Sequence, residues 1–277
     1  MTARRLLSVL CLALCAIALT GCAAHDTLSL DPVASAAGKT ADSTSSRFIF
    51  SASISAGTVG TLSFHGNGLY DGPGKSGWMN MHFTLPAAAQ AELGPDPSME
   101  MIFDGHHGLV MYMRSSLFKT VPTGTWVKMD VEKLAKKEGY DLNGIMNANQ
   151  ADPSQALKML MASNGARVTG TDTIRGVRTT RYAFQIDFNR LVHDNKALEQ
   201  LKEVTGTSSI PAEAWIDAQG RVRRLNVQMS MGAQLGTPMT MTMTMTEDLY
   251  DFGVRANIVP PPDNLVTDIS KLTGSSS

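Results

Sequence analysis

The sequence predicts an α+β fold built on one large, twisted antiparallel sheet. Three observations lead there. Apolar and polar residues alternate at period two through most of the chain. Gly, Pro, Asn and Asp punctuate the alternating runs, as turns between consecutive antiparallel strands require. Helical stripes are few and fall between the strands, so helices lie against the sheet and do not alternate with it.

The chain opens with an address. Arg4 and Arg5 precede the apolar run Leu6 to Leu19, whose 14 positions are too few for a span of roughly 20 residues. Leu19-Thr20-Gly21-Cys22 follows, and it matches the lipobox of bacterial lipoproteins. Residues 1–21 therefore read as a lipoprotein signal peptide, and Cys22 as the acylated first residue of the mature chain. The alternative is an ordinary secreted protein with a cysteine near its cleavage site. Two acyl chains, at about 0.8 kcal/mol per buried CH₂, anchor stably where one does not. The expected location is the extracytoplasmic face of a cell membrane, lipid-anchored.

Removing residues 1–21 takes Arg4, Arg5, Cys11 and Cys15, leaving 22 basic against 25 acidic residues and one cysteine. The folded part then has no thiol for a disulfide, a thiolate metal site, an iron–sulfur cluster or a cysteine nucleophile. With 18% charged residues and no basic surplus, nucleic acid is not an expected partner. Residues 22–46 read as the lipidated cysteine and a flexible tether of Ala, Ser, Thr, Gly and Asp. Such a leash holds its domain on the order of 25–30 Å from a bilayer. Residues 47–272 form one domain, and residues 273–277 a disordered tail.

Phe48, Phe50, Ala52 and Ile54 share a face of the first strand, and Leu62 and Phe64 a face of the second. Beyond the turn Asp71-Gly72-Pro73-Gly74-Lys75, the series Met79, Met81, Phe83, Leu85 continues the pattern. Met99, Met101 and Phe103, then Leu109, Met111 and Met113, give two further strands. Tyr182 to Phe188, Ala214 with Ile216, and Leu225 to Met231 follow, the last after the turn Ala218-Gln219-Gly220. The final long strand is Met239, Met241, Met243 and Met245, with threonines between them. Helices are expected from Asp152-Pro153 to Gly165, from about Asn189 to Val204, and over Val131–Glu138 behind an Asp130 cap.

Twelve of the 17 methionines fall in these i, i+2 series, hence on one face of the sheet. A soft-metal site needs converging ligands, whereas i, i+2 residues stand about 6.5–7 Å apart along a line. No His or Cys completes such a site on the Met239–Met245 face. Two readings stay open: a core filled with Met, or the wall of a cavity accepting varied apolar partners.

Catalytic patterns are missing from the sequence. His25, His65, His82, His106, His107 and His193 form no zinc-hydrolase motif, and there is no Gly-x-Ser-x-Gly elbow. Gly74-Lys75-Ser76 lacks the upstream glycine of a phosphate loop, since that position is Leu69. Asp130, Asp187 and Asp217 sit at strand ends, where capping and turn roles explain them. Arg221, Arg223 and Arg224 read as a solvated strand face, with acidic headgroups as the other reading. The expectation is a binding protein, without catalytic residues, cofactor or metal.

Several landmarks recur in order: Leu109-Val110-Met111-Tyr112-Met113, then Trp126-Val127-Lys128-Met129-Asp130, then Asp152-Pro153 opening a helix with Ala156, Leu157 and Leu160. Gly170 and Gly176 flank a turn before Arg181-Tyr182, and Glu213-Ala214-Trp215-Ile216-Asp217 precedes Gly220 and Arg221. Together with the lipobox, this order resembles the actinobacterial lipoproteins of the LppX/LprG type. That group shares its fold with the lipoprotein carriers LolA and LolB. The resemblance implies a half-open antiparallel barrel with helices covering its concave face, and carriage of a lipid or lipidated cargo in the cell envelope. It would make Met79, Met81, Phe83, Met99, Met101, Met111, Met113, Met229, Met231, Met239, Met241, Met243 and Met245 the lining of a hydrophobic cavity. The alternative is a tethered sensor or interaction module on the same fold, with an envelope protein as its partner.

Overall fold

A computed structural model describes residues 32–41, 45–56, 60–72, 75–94, 96–106, 110–118, 121–131, 133, 163–187, 209–231, 241–269 and 271. The expected helices from 152 and 189 lie outside these residues, as do Cys22 and Met239.

Two meanders make one sheet. The first runs through β1 (Ser45–Ala56), β2 (Gly60–Asp71), β3 (Ser76–Thr84), β4 (Ser98–Asp104), β5 (Val110–Ser115) and β6 (Trp126–Asp130). The second runs through β7 (Ser163–Ile174), β8 (Val177–Asp187), β9 (Ser209–Asp217), β10 (Val222–Met231) and β11 (Met241–Tyr250). Pairing of β1 with β11 joins them, and β12 (Val266–Asp268) adds an edge, giving the order β12-β6-β5-β4-β3-β2-β1-β11-β10-β9-β8-β7. The two ends of this order do not pair, so the twisted sheet is a half-open barrel.

The α+β class and the antiparallel meanders follow the expectation, with one correction. β12 pairs with β6 in parallel, so the sheet is mixed. The reason is the connection from β11. It must cross about seven strand spacings, roughly 34 Å, to reach the far edge. A stretch containing Pro260-Pro261-Pro262 covers that span extended. Its start is held by Ser45, whose carbonyl accepts from the Gly253 N–H at 2.8 Å and whose Oγ donates to the Val254 carbonyl.

The tether reading is corrected over residues 32–41 and at Ser45 and Ser46. Pro32–Ala41 is a helix, α1, and Ser45 and Ser46 already belong to β1. Val33, Ala36, Ala37 and Thr40 lie at i, i+3, i+4 and i+7, and all four are buried. Small side chains let the helix sit close to the sheet, where it packs on Phe48, Phe184, Ile186, Ala214, Val222, Leu225 and Leu249. Thr40 secures it, since Oγ1 donates to the Ala36 carbonyl at 2.7 Å and accepts from the Val222 N–H at 2.8 Å. Val222 lies at the β9–β10 register shift, where the ladder is interrupted and its N–H takes a side-chain acceptor.

Other departures are local. A short helix, α2 (Ala87–Leu93), follows β3. Gly165, expected to end a helix, lies inside β7, a strand the period-two reading did not distinguish. Its run Arg167 to Thr173 is polar apart from the exposed Val168, and two register shifts against β8 break any alternation. The β7–β8 hairpin turns at Arg175-Gly176, both with positive φ, as a two-residue type I′ turn requires. The last long strand, described from Met241, continues past Met245 to Tyr250.

Candidate functional site

Residues directly opposite in a ladder share a face, so the strand registers sort every side chain. Met79 faces Met101, which faces Met113; Met81 faces Met99; Phe103 faces Met111, which faces Met129. On the other side of β1, Met229 faces Met243, Met231 pairs with Met241, and Met245 lies opposite Ala52 and Val227. β1 and β2 connect the two groups through Phe50, Ile54, Leu62 and Phe64, and Phe64 faces Phe83. All the residues expected on the methionine face, other than Met239, therefore occupy one face of one continuous sheet.

This apolar face has two sectors. Under α1 it is fully buried, with Phe184, Ile186, Ala214, Leu225 and Leu249 each at 5% exposure or less. Elsewhere it is only half-buried. Met79, Met81, Met99, Met101, Met111, Met113, Met129, Met229, Met241, Met243 and Met245 all retain partial solvent access. A file of rings crosses between the two methionine groups: Phe48 to Phe50 at 6.2 Å, Phe50 to Phe64 at 6.2 Å and Phe64 to Phe83 at 6.3 Å. Glycines open the space for these rings. A Cβ on Gly66 would meet the Phe50 ring at 2.9 Å, and one on Gly68 would overlap the Phe48 ring.

Met129 belongs to this face and was not among the expected lining residues. It is a lone methionine on β6, outside any Met-x-Met series, and its signal was the alternation Val127, Met129.

The opposite face carries Ser51, Ser53, Ser55, Asn67, Asn80, Thr242, Thr244, Thr246, Asn226 and Gln228, and also Trp78 and the buried Ile102. It carries the arginine cluster, and here the solvated reading is corrected. The Asp217 side chain has no solvent exposure and lies 2.7 Å from Arg223 Nε and 3.3 Å from Arg221 Nε. Asp217 Oδ1 also accepts from the Gln219 and Arg221 N–H groups at 2.9 Å, which closes the β9–β10 turn. Both guanidinium groups stack on Phe252 at 4.8 Å, and Arg224 is bidentate to the buried Asp248. Burial pushes the Asp217 carboxyl up, but the Arg221 and Arg223 hydrogen bonds and charges outweigh it and hold it below the ordinary range. Burial likewise opposes ionisation of Asp130, and there the Lys133 hydrogen bonds win and lower it. Asp130 Oδ1 accepts from the Lys133 N–H at 3.0 Å, the capping contact expected at that strand end.

His106 follows Asp104 in a turn, with its N–H on Asp104 Oδ1 at 3.0 Å. His65 and His82 face each other across β2 and β3 with near-parallel rings 5.6 Å apart. Among the described residues no group of three or more His, Cys, Asp or Glu is arranged to hold a metal ion, and no helix is long and apolar enough to cross a membrane.

No protein-family model and no curated protein matches this chain. Solved structures similar to it include LprF from Mycobacterium bovis, with TM-score 0.47 and 12% identity over 83% of this chain and 95% of that one. The lipoprotein LppX from Mycobacterium tuberculosis gives TM-score 0.43 and 12% identity, over 84% and 100% respectively. A LolA superfamily protein from Nitrosomonas europaea gives TM-score 0.29 and 9% identity, over 85% and 96%.

Proposed function

We propose that this chain is a lipoprotein, anchored through acylated Cys22 on the extracytoplasmic face of the cell membrane. Its methionine face holds the acyl chains of a lipid or lipidated molecule, for carriage within the cell envelope. One observation carries the reading: eleven methionines on a single sheet face, half-buried beside a sector that is fully buried. A face serving only as core would be closed to solvent throughout, as the α1 sector is. Unbranched, polarizable thioethers adapt to chains of differing length and unsaturation, which rigid branched side chains do not. At about 25 cal/mol per Å², burying an acyl chain against such a surface drives uptake without any charged contact. The protein acts by binding, and no residue is assigned a catalytic role.

Native mass spectrometry of residues 23–277 purified from the source envelope, followed by solvent extraction, tests this. A stoichiometric adduct of lipid mass is expected. The double variant Met241→Trp/Met243→Trp should stay folded and lose uptake of a fluorescent fatty acid. A bare polypeptide mass together with no uptake by the wild-type chain would sink the carrier reading and leave an interaction module with a filled core.

A further inference from the structure

The polar face holds a second feature, independent of the methionine face. A hollow of about 740 Å³ is lined by Asn80, His82, Ser98, Glu100, Arg114 and Ser116, together with Phe118, Val121 and Pro122 of the β5–β6 loop. Its volume lies within the range of small-molecule sites. Among the lining residues Glu100 and Arg114 form an ion pair, with Arg114 Nε 3.1 Å from Glu100 Oε2 and Nη2 on the same oxygen. Two tryptophans hold the pair in place. The Trp78 Nε1–H donates to Glu100 Oε1 at 3.3 Å, and the Arg114 guanidinium lies 4.6 Å from the centre of the Trp126 ring. Exposed ion pairs contribute about 0–1 kcal/mol to stability, so a half-exposed pair braced from both sides is poorly explained by stability alone. Braced polar groups lining a hollow are how a binding site is preorganised.

We propose that this hollow binds a neutral saccharide. The chemistry of the lining selects it. Glu100 and Arg114 cancel, so no net field attracts an anion, and a phosphate group would meet the Glu100 carboxylate. An acyl chain would leave the lining polar groups desolvated and unmatched. A vicinal diol both donates and accepts, so it can give a proton to Glu100 while accepting from the three Arg114 N–H groups not spent on Glu100, or from Asn80. Phe118, Val121 and Pro122 supply an apolar wall for the C–H face of a pyranose ring.

The test is calorimetric titration of the mature chain with chitotriose and, separately, with maltotriose. Saturable binding of at least one sugar is expected. Asn80→Ala, Glu100→Gln and Phe118→Ala should each weaken it by about tenfold, the loss of one good polar or stacking contact. Melting temperature checks that each variant is folded. Asn80 and Phe118 supply the test if the Glu100 variant is not. The lipid-face variant Met241→Trp/Met243→Trp should bind sugar as the wild type does, which separates this site from the acyl-chain site. No saturable heat with either sugar overturns the proposal, as does affinity unchanged in the folded Asn80 and Phe118 variants.

Discussion

The ring of Phe103 covers its cross-strand partner Gly77 so closely that a Cβ on Gly77 would overlap three ring carbons. The same arrangement recurs at Phe50 over Gly66 and Phe48 over Gly68. A glycine on one strand thus becomes the floor on which an aromatic ring of the next strand lies. Gly77→Ala is therefore expected to destabilise the protein by about 2–3 kcal/mol, because both Phe103 and Gly77 are buried and the ring has little room to retreat. Urea denaturation with an unchanged slope and a lower midpoint is the expected readout.

Helix α1 gives two opposite expectations. Nothing lies within 4 Å of a Cβ built on Gly38, so Gly38→Ala should stabilise by about 0.5–1 kcal/mol through helix propensity. Thr40→Val keeps the shape but strands the buried Val222 N–H, and should cost about 1–3 kcal/mol. Both effects vanish if residues 32–41 are a flexible leash. Thermal unfolding of the two variants therefore discriminates the two pictures of this segment.

Legibility in the sequence followed the size and regularity of the side chains. Alternating Met, Phe, Leu and Ile marked β1 to β5, β8, β10 and the first half of β11, because a two-sided sheet forces that period on large residues. Helix α1 was illegible for the opposite reason. Its stripe is Val33, Ala36, Ala37 and Thr40, whose small size suits close packing yet resembles the composition of a linker. Strand β7 has only Ala166, Val168 and Ile174 as apolar residues and is interrupted by register shifts, so it carries no clear period. The arginine cluster reads as solvated until the partners of the Asp217 and Asp248 carboxylates are seen, and those depend on how β9, β10 and β11 pair. The methionine face was legible as a face. Its half-buried state was not, since period two places a residue on a side without saying what covers that side.

The Asp217 contacts make stability depend on pH. Its folded carboxyl titrates below the ordinary range, so its contribution is fully present above the unfolded value of about 4 and is lost as pH falls through the lower folded value. Denaturation midpoints should stay level from neutrality to about pH 5 and then decline. Asp217→Asn should remove part of that decline and cost about 3 kcal/mol at pH 7, because it leaves Arg223, at 12% side-chain exposure, without its counter-charge. A midpoint-versus-pH series on both chains measures this. An identical slope below pH 5 in the two proteins would assign the acid sensitivity to other carboxylates.

Met81 and Met99 face each other across β3 and β4 within the half-buried sector. Met→Leu conserves volume, so the pair Met81→Leu/Met99→Leu should change stability by less than about 1.5 kcal/mol. Leucine is branched, however, and has fewer accessible shapes than an unbranched thioether. The substituted face should still take up a chain that fits it, but should lose tolerance across a series of fluorescent fatty acids of increasing length. A core has no such series to discriminate, so a filled interior predicts the small stability change with no uptake in either protein. The decisive comparison is the ratio of affinities for the shortest and longest chains. A larger ratio in the leucine variant marks methionine as the source of breadth, and an equal ratio assigns it only the filling of space.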